Sequence, residues 1–277
     1  MDTAMPAGSL DAMKPPEGDV SRRVGDLGKA GKAVSAGLVG VLLLVGSWSG
    51  TSAAGPGSVD VNAARQVEHL SNLRPKMTTK LIPFHQKRKM QMARYSGRHY
   101  GKRQYHLNNP RVIVEHYTDG PSMMSAWWTM ANNTKDIGES PGVCTHFIID
   151  ERGRIYRTVP LDLRCRHTIG LNQMAIGIEH VGTSDRQVMS RDRQRKASFH
   201  LTLWLMAKYD IKLRNVIGHG ESLLSPLRYE RYRSWKCMTH TDFSHHTMNR
   251  YRNHMRQRAR AHGVLVGRRP HWVDIGC

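Results

Sequence analysis

Apolar positions between residues 111 and 261 change period several times, and each change marks an element. RVIVEHYT (111–118) is a β-branched run ending at Asp119-Gly120-Pro121, which predicts a strand and a turn. SMMSAWWTMAN (122–132) predicts a helix capped by Ser122. THFIID (145–150) and RIYRTVP (154–160) flank Glu151-Arg152-Gly153 and read as a hairpin. AIGIEHVG (175–182) is a further strand, and the longest helix follows over 192–209, where Phe199, Leu201, Trp204, Leu205 and Lys208 recur at helical spacing. NVIGHGES (215–222) ends a strand in a loop, the chain to 243 is irregular, and HHTMNRYRNHMRQRARA predicts a basic closing helix. Paired strands followed by alternating strands and helices predict a single α/β domain over 111–262, a central mixed β-sheet flanked by helices, with basic N- and C-terminal extensions. Residues 263–277 are left as a C-terminal tail, and no internal repeat is found.

Outside that span the pattern is different. AVSAGLVGVLLLV (33–45) follows Arg22, Arg23, Lys29 and Lys32 and precedes SWSGTSAAG, the order of an export signal over residues 1–54 with cleavage near Ala53 or Ala54. The block is shorter than the roughly 20 apolar residues of a membrane span, so cleavage is expected over a retained anchor. Ser21-Arg22-Arg23 adds a weak twin-arginine signal. Residues 55–110 lack apolar periodicity and read as a basic, partly ordered lead-in. Its tyrosines, Tyr95, Tyr100 and Tyr105, alternate with cations as in a nucleic-acid arm, but export lowers that reading and no specific nucleic acid is expected.

Charge sharpens the choice of partner. The chain of 277 residues carries a formal charge of +20, and because residues 1–54 hold five acidic and five basic side chains, all of it falls on 55–277. Such a protein adsorbs to polyanions, and for an exported one the expected polyanion is a cell wall with its anionic polymers. Cys144, Cys165, Cys237 and Cys277 suit one or two bridges in an oxidising compartment, with three full pairings open. They lack the close paired spacing of a zinc ribbon.

The candidate chemistry lies inside the strands. In AIGIEHVG, Ile176, Ile178 and His180 share one face, and Ala175, Gly177, Glu179 and Val181 share the other. Glu179 thus stands beside two very small residues, which leaves room above it and suits the floor of a cleft as well as a buried ion pair. His116 ends the first strand on the face of Val112 and Val114. His219 lies between glycines, which let another group come close. Asp242 lies in the polar run Thr239-His240-Thr241-Asp242-Phe243. Two imidazoles and a carboxylate make a catalytic zinc set with one position open.

The ordered motifs VIVEHYT, THFIIDERGRIYRTVP, HTIGLNQMAIGIEHVG, VIGHGES and THTDF together resemble the zinc-dependent N-acetylmuramoyl-L-alanine amidases of the type 2 amidase family, relatives of the peptidoglycan recognition proteins. The resemblance spans about residues 111–255. It implies Zn2+ held by His116, His219 and Asp242, Glu179 as the acidic catalytic residue, and His167 lining the cleft beside the metal. The lysine common two residues before the last ligand is replaced here by His240, which can still donate a hydrogen bond to an oxyanion. Some relatives use cysteine as third ligand, which makes Cys237 the competitor of Asp242. Thr145 stands where certain relatives have a catalytic tyrosine. The implied substrate is peptidoglycan, cut between N-acetylmuramic acid and L-alanine, with a metal-activated water and Glu179 as base and then acid. The alternative is a peptidoglycan-binding protein without catalysis, and the joint presence of three ligands and Glu179 speaks against it.

Overall fold

The computed structural model of the protein describes residues 61–274 and 276–277. The export segment expected over 1–54 lies outside the described residues. In chain order the elements are α1 (Val61–Leu73), β1 (Thr78–Thr79), α2 (Gln86–Tyr100), β2 (Val112–Tyr117), α3 (Met123–Ala131), β3 (Phe147–Ile149), β4 (Ile155–Arg157), β5 (Ala175–His180), α4 (Asp185–Ser190), α5 (Asp192–Tyr209), β6 (Val216–Gly218) and α6 (His245–Ala261). The six strands form one mixed sheet in the order β1-β4-β3-β5-β2-β6. Only the β3–β4 hairpin is antiparallel. The predicted mixed sheet with flanking helices is the fold observed.

β2 and β5 are the central pair, and both are covered on both faces, which is why they read as nearly continuous apolar runs. On one face Ile113, Phe147, Ile176 and Ile178 pack with Phe199 and Leu205 of α5 and with Met248, Tyr251 and Met255 of α6. α5 is buried around most of its circumference, because Leu73 of α1 joins the same core and Arg74 lies over the Trp204 ring. On the other face Ala126 and Met130 of α3 meet Ile148, Val159, Leu163 and the Cys144–Cys165 disulfide. Ser122 caps α3, accepting from the Ser125 backbone N–H at 3.1 Å, as its position before the apolar run predicts.

Segments on both sides of 111–262 pack against these layers. The lead-in supplies α2, whose buried residues Arg88, Met92, Tyr95, Ser96 and His99 form a helical stripe. Three of those five are polar, so hydrophobic periodicity alone does not reveal it. Two of the polar members have specific partners: Arg88 donates to the carbonyls of Met130 (2.7 Å) and Val143 (3.0 Å), and His99 stacks on Tyr95 and meets Glu230 at 2.9 Å. β1, only two residues long, extends the sheet beside β4. At the other end Val264 is buried, the Val273 N–H donates to the Leu224 carbonyl, and Cys277 is bonded to Cys237. That bond removes Cys237 as a competing metal ligand, since a disulfide sulfur is not the thiolate that ligation requires.

Candidate active site

β2 and β5 run parallel with His116 directly opposite Glu179, so the two side chains project from the same face of the sheet at adjacent strands. The third contribution comes from β6, which ends at Gly218 and turns into a 3-10 segment, His219–Leu224. The glycines on either side of His219 have a definite purpose here. A Cβ at Gly218 would overlap the Phe243 carbonyl, and one at Gly220 would lie 2.9 Å from the Thr241 carbonyl. The Gly220 N–H donates to the Asp242 carbonyl at 2.7 Å. The group for which the glycines make room is therefore the chain's own 241–243 segment, and its approach delivers Asp242 to His219.

His116, His219 and Asp242 converge, with one potential ligand atom from each lying within 4.8 Å of the others. His116 Nδ1 is 3.1 Å from Asp242 Oδ2, and His219 Nδ1 is 3.3 Å from Oδ1. Both imidazoles thus turn the same nitrogen toward the carboxylate. The other nitrogen of His116 meets His167 Nδ1 at 3.1 Å, and His167 Nε2 faces the Ala175 carbonyl at 3.4 Å. With His116 Nδ1 free to ligate, its Nε2–H donates to His167, whose own Nε2–H points to the backbone. This is the outer hydrogen bonding that fixes tautomer and ring orientation in metal-binding histidines. Asn172 braces the arrangement, its Oδ1 accepting from the N–H groups of both His167 and Thr168 at 2.8 Å.

The room beside Glu179 also finds its occupant. A Cβ at Gly177 would come within 2.8 Å of the His167 ring, so the small residue admits that imidazole against the strand. Glu179 itself is half-buried, and its Oε2 is enclosed with no hydrogen-bond partner. Glu115 Oε2 is enclosed in the same way on the opposite face, but the Glu179 oxygen stands on the face of the three ligand candidates, where a bound group could satisfy it. His240 is exposed, its ring tilted over His219 at 5.0 Å, and lines the same small cleft as His167 and Thr168.

Burial and pairing set the charges. Burial pushes Glu179 up to about 7, a shift that nearby His116 opposes and Asp242 reinforces. Burial likewise works against ionised Asp242, but hydrogen bonds from His116 and His219 outweigh it and hold the carboxyl well below its usual range. Burial takes His219 down to about 4 and His167 well below the normal imidazole value. For His116 the burial effect is overcome by Asp242, Glu179 and Glu115, and the net shift is upward. An ionised Asp242 and a neutral His219 are in the protonation states that a divalent metal selects, while at His116 a metal would compete with a proton. The donor set, its spacing and the orphaned Glu179 oxygen fit a zinc ion.

Two neighbouring carboxylates that the sequence leaves as ordinary polar residues prove to be structural. Glu221 is buried and paired with Arg252 at 2.6 and 2.8 Å, accepting also from the Gly218 N–H. It ties the turn carrying His219 to α6. Glu115 accepts from Thr202 (2.8 Å) and Tyr251 (3.0 Å) on the reverse face of the sheet. Asn172 was also missed, and the only signal for it is a side-chain amide inside a tight loop.

The C-terminal ends of β2, β5 and β6 bring His116, Glu179 and His219 together and the 241–243 segment adds Asp242, an arrangement of the kind that hydrolases use on amides. Residues 106–242 belong to the N-acetylmuramoyl-L-alanine amidase family Amidase_2, whose model they match, and the match ends on Asp242. No curated protein matches the chain. Similar solved structures include an endolysin amidase, LysCS, from Clostridium intestinale URNW, 28% identical, covering 40% of this chain and 68% of that one with a TM-score of 0.33. The amidase LysC from the same organism is 22% identical over 52% of this chain and 82% of its own, with a TM-score of 0.37. AmiD from E. coli, solved with anhydro-N-acetylmuramic acid-L-Ala-D-gamma-Glu-L-Lys, is 23% identical over 40% and 49% of the two chains, at a TM-score of 0.34.

Proposed function

We propose that this amidase is zinc-dependent and hydrolyses the amide between N-acetylmuramic acid and the L-alanine of the peptidoglycan stem, with Zn2+ held by His116, His219 and Asp242. The observation that carries the reading is the convergence of those three side chains beside an unpartnered Glu179 oxygen. When bound, zinc supplies Lewis acidity that lowers the pKa of a coordinated water to about 7 and polarises a carbonyl.

The protein's own residues do the rest. Glu179 takes the proton of the attacking water and returns it to the leaving amine, and a pKa raised to about 7 by burial lets it hold that proton between the two events. His240 is free to donate to the oxyanion, a contact whose loss typically costs about 3 kcal/mol in the barrier. His167 has both ring nitrogens engaged, which supports a role in orienting His116 alongside any contact with substrate.

We place the enzyme outside the cytoplasm, in the secreted or cell-envelope space. The export-type segment and two disulfides, Cys144–Cys165 and Cys237–Cys277, support this reading. Metal analysis of the purified protein, coupled to mass spectrometry of digested peptidoglycan, is the test. One equivalent of zinc and release of free stem peptides beginning with L-alanine are expected, and intact muropeptides after digestion with zinc-loaded protein would overturn the proposal.

A further inference from the structure

On the reverse side of the sheet from the metal-site residues, α6 presents His246, Arg250, His254, Arg258 and His262, each four residues after the last and all exposed. At 1.5 Å per residue this ladder runs about 24 Å. It borders two clefts, of about 680 and 600 Å³, that lie along α6 on the side facing α4 and α5. Arg186 of α4 and Arg195 and Lys196 of α5 line the opposite walls. Met189 lies in the first cleft, and the second backs onto Phe199 and Leu203, both buried, with Arg258 over the Phe199 ring.

Cations outnumber carboxylates in the clefts, whose lining holds a single carboxylate, Asp185. Asp192 pairs with Arg195 and Lys196, and Asp185 is occupied by the backbone N–H and hydroxyl of Ser244. Arg186, Arg250 and Arg258 have no carboxylate partner among the described residues. Guanidiniums without carboxylate partners present forked donors matched to phosphate, and their spread along α6 suits a chain rather than a single ion. No exposed Tyr, Trp or Phe lines either cleft, and Phe199 is buried, so the stacking platform of single-stranded nucleic-acid binding is missing.

We infer that this basic face of α6 and α4 binds a linear phosphodiester polymer of the cell wall, with Arg186, Arg250 and Arg258 each engaging a phosphate. The inference rests on the peptidoglycan reading for the choice of polymer, and it gives the enzyme a second hold on the wall, remote from the cleavage site.

Binding of fluorescently labelled poly(glycerol phosphate) is to be followed by anisotropy for the wild-type protein, for R186Q/R250Q/R258Q, and for K87Q/R94Q/K102Q, which removes the same charge from exposed positions on α2 and just past its C-terminus. The α6/α4 variant is expected to bind about tenfold or more weakly, with the salt dependence of log K reduced by about 2, while the α2 variant stays near wild type. Cleavage of a small soluble muropeptide should be the same for all three, which also shows that the variants fold. Equal loss in both variants would reduce the effect to net charge and overturn the inference. Unchanged polymer binding by the α6/α4 variant would do so too, as would tighter binding of a single-stranded oligonucleotide than of the polymer at this face. The measurement needs no turnover, so a wild type that binds polymer without cleaving peptidoglycan would sink the amidase reading separately.

Discussion

β2 and β5 each carry a neighbouring histidine and glutamate, and the two faces of the sheet sort them into two clusters of the same residue types. On one face His116 stands opposite Glu179. On the other, Glu115 faces His180, with 3.6 Å between Oε2 and Nε2. Burial raises both glutamates to about 7. What separates them is what closes each cluster. Glu115 is sealed under Thr202 and Tyr251, and His180 packs against Phe243, so the chain leaves no approach from outside. Beside Glu179, a loop from far along the chain adds Asp242 and His219, and an adjoining cleft stays open. A histidine-carboxylate pair is thus ambiguous by itself, and a converging third donor together with access makes it a site.

Removing the convergence has the largest expected effect. Asp242→Ala should abolish both zinc retention and turnover, measured by metal content and muropeptide cleavage, since the two imidazoles lose the carboxylate that gathers them. Zinc bound at wild-type affinity would show that the carboxylate is not a ligand. Glu179→Gln should keep the metal and lower turnover by about 10²–10⁴-fold, the usual share of a general base. A variant as active as wild type would remove Glu179 from the reaction. Gly177→Ala pushes a methyl toward the His167 ring and should weaken metal affinity or activity by about 10–100-fold, the range for disturbed outer-shell partners.

The smallest effect belongs to the sealed cluster. Glu115→Gln should leave turnover within about twofold, because its partners touch no reacting atom. Its consequence is for stability. With a folded pKa near 7 against an ordinary 4.5, Glu115 holds its proton longer in the folded chain, so the wild type loses stability as pH rises from about 4.5 to 7. Denaturant titrations across that window should show a flatter profile for the variant, and parallel profiles would mean that Glu115 is not the group responsible.

Legibility followed the physics of each element. Strands β2 to β6 and helices α3, α5 and α6 could be read because residue spacing carried them. His116, Glu179 and the glycine-flanked His219 were readable as candidates because strand alternation and glycine both have geometric consequences. α2 was hidden because arginine, serine and histidine complete its buried stripe. β1 is too short for any pattern, and the pinning of the C-terminal residues depends on a disulfide whose partners lie 40 residues apart. The purpose of Gly177 was only half visible: space was foreseen, but not that His167 fills it.

The central claim is that three distant side chains share one zinc ion, and a crystal of the zinc-loaded protein measured on both sides of the zinc absorption edge tests it directly. A single anomalous peak bonded to His116, His219 and Asp242, with Glu179 facing its open side, is the predicted result. A peak held by other residues, or none at this site in zinc-saturated crystals, would contradict it.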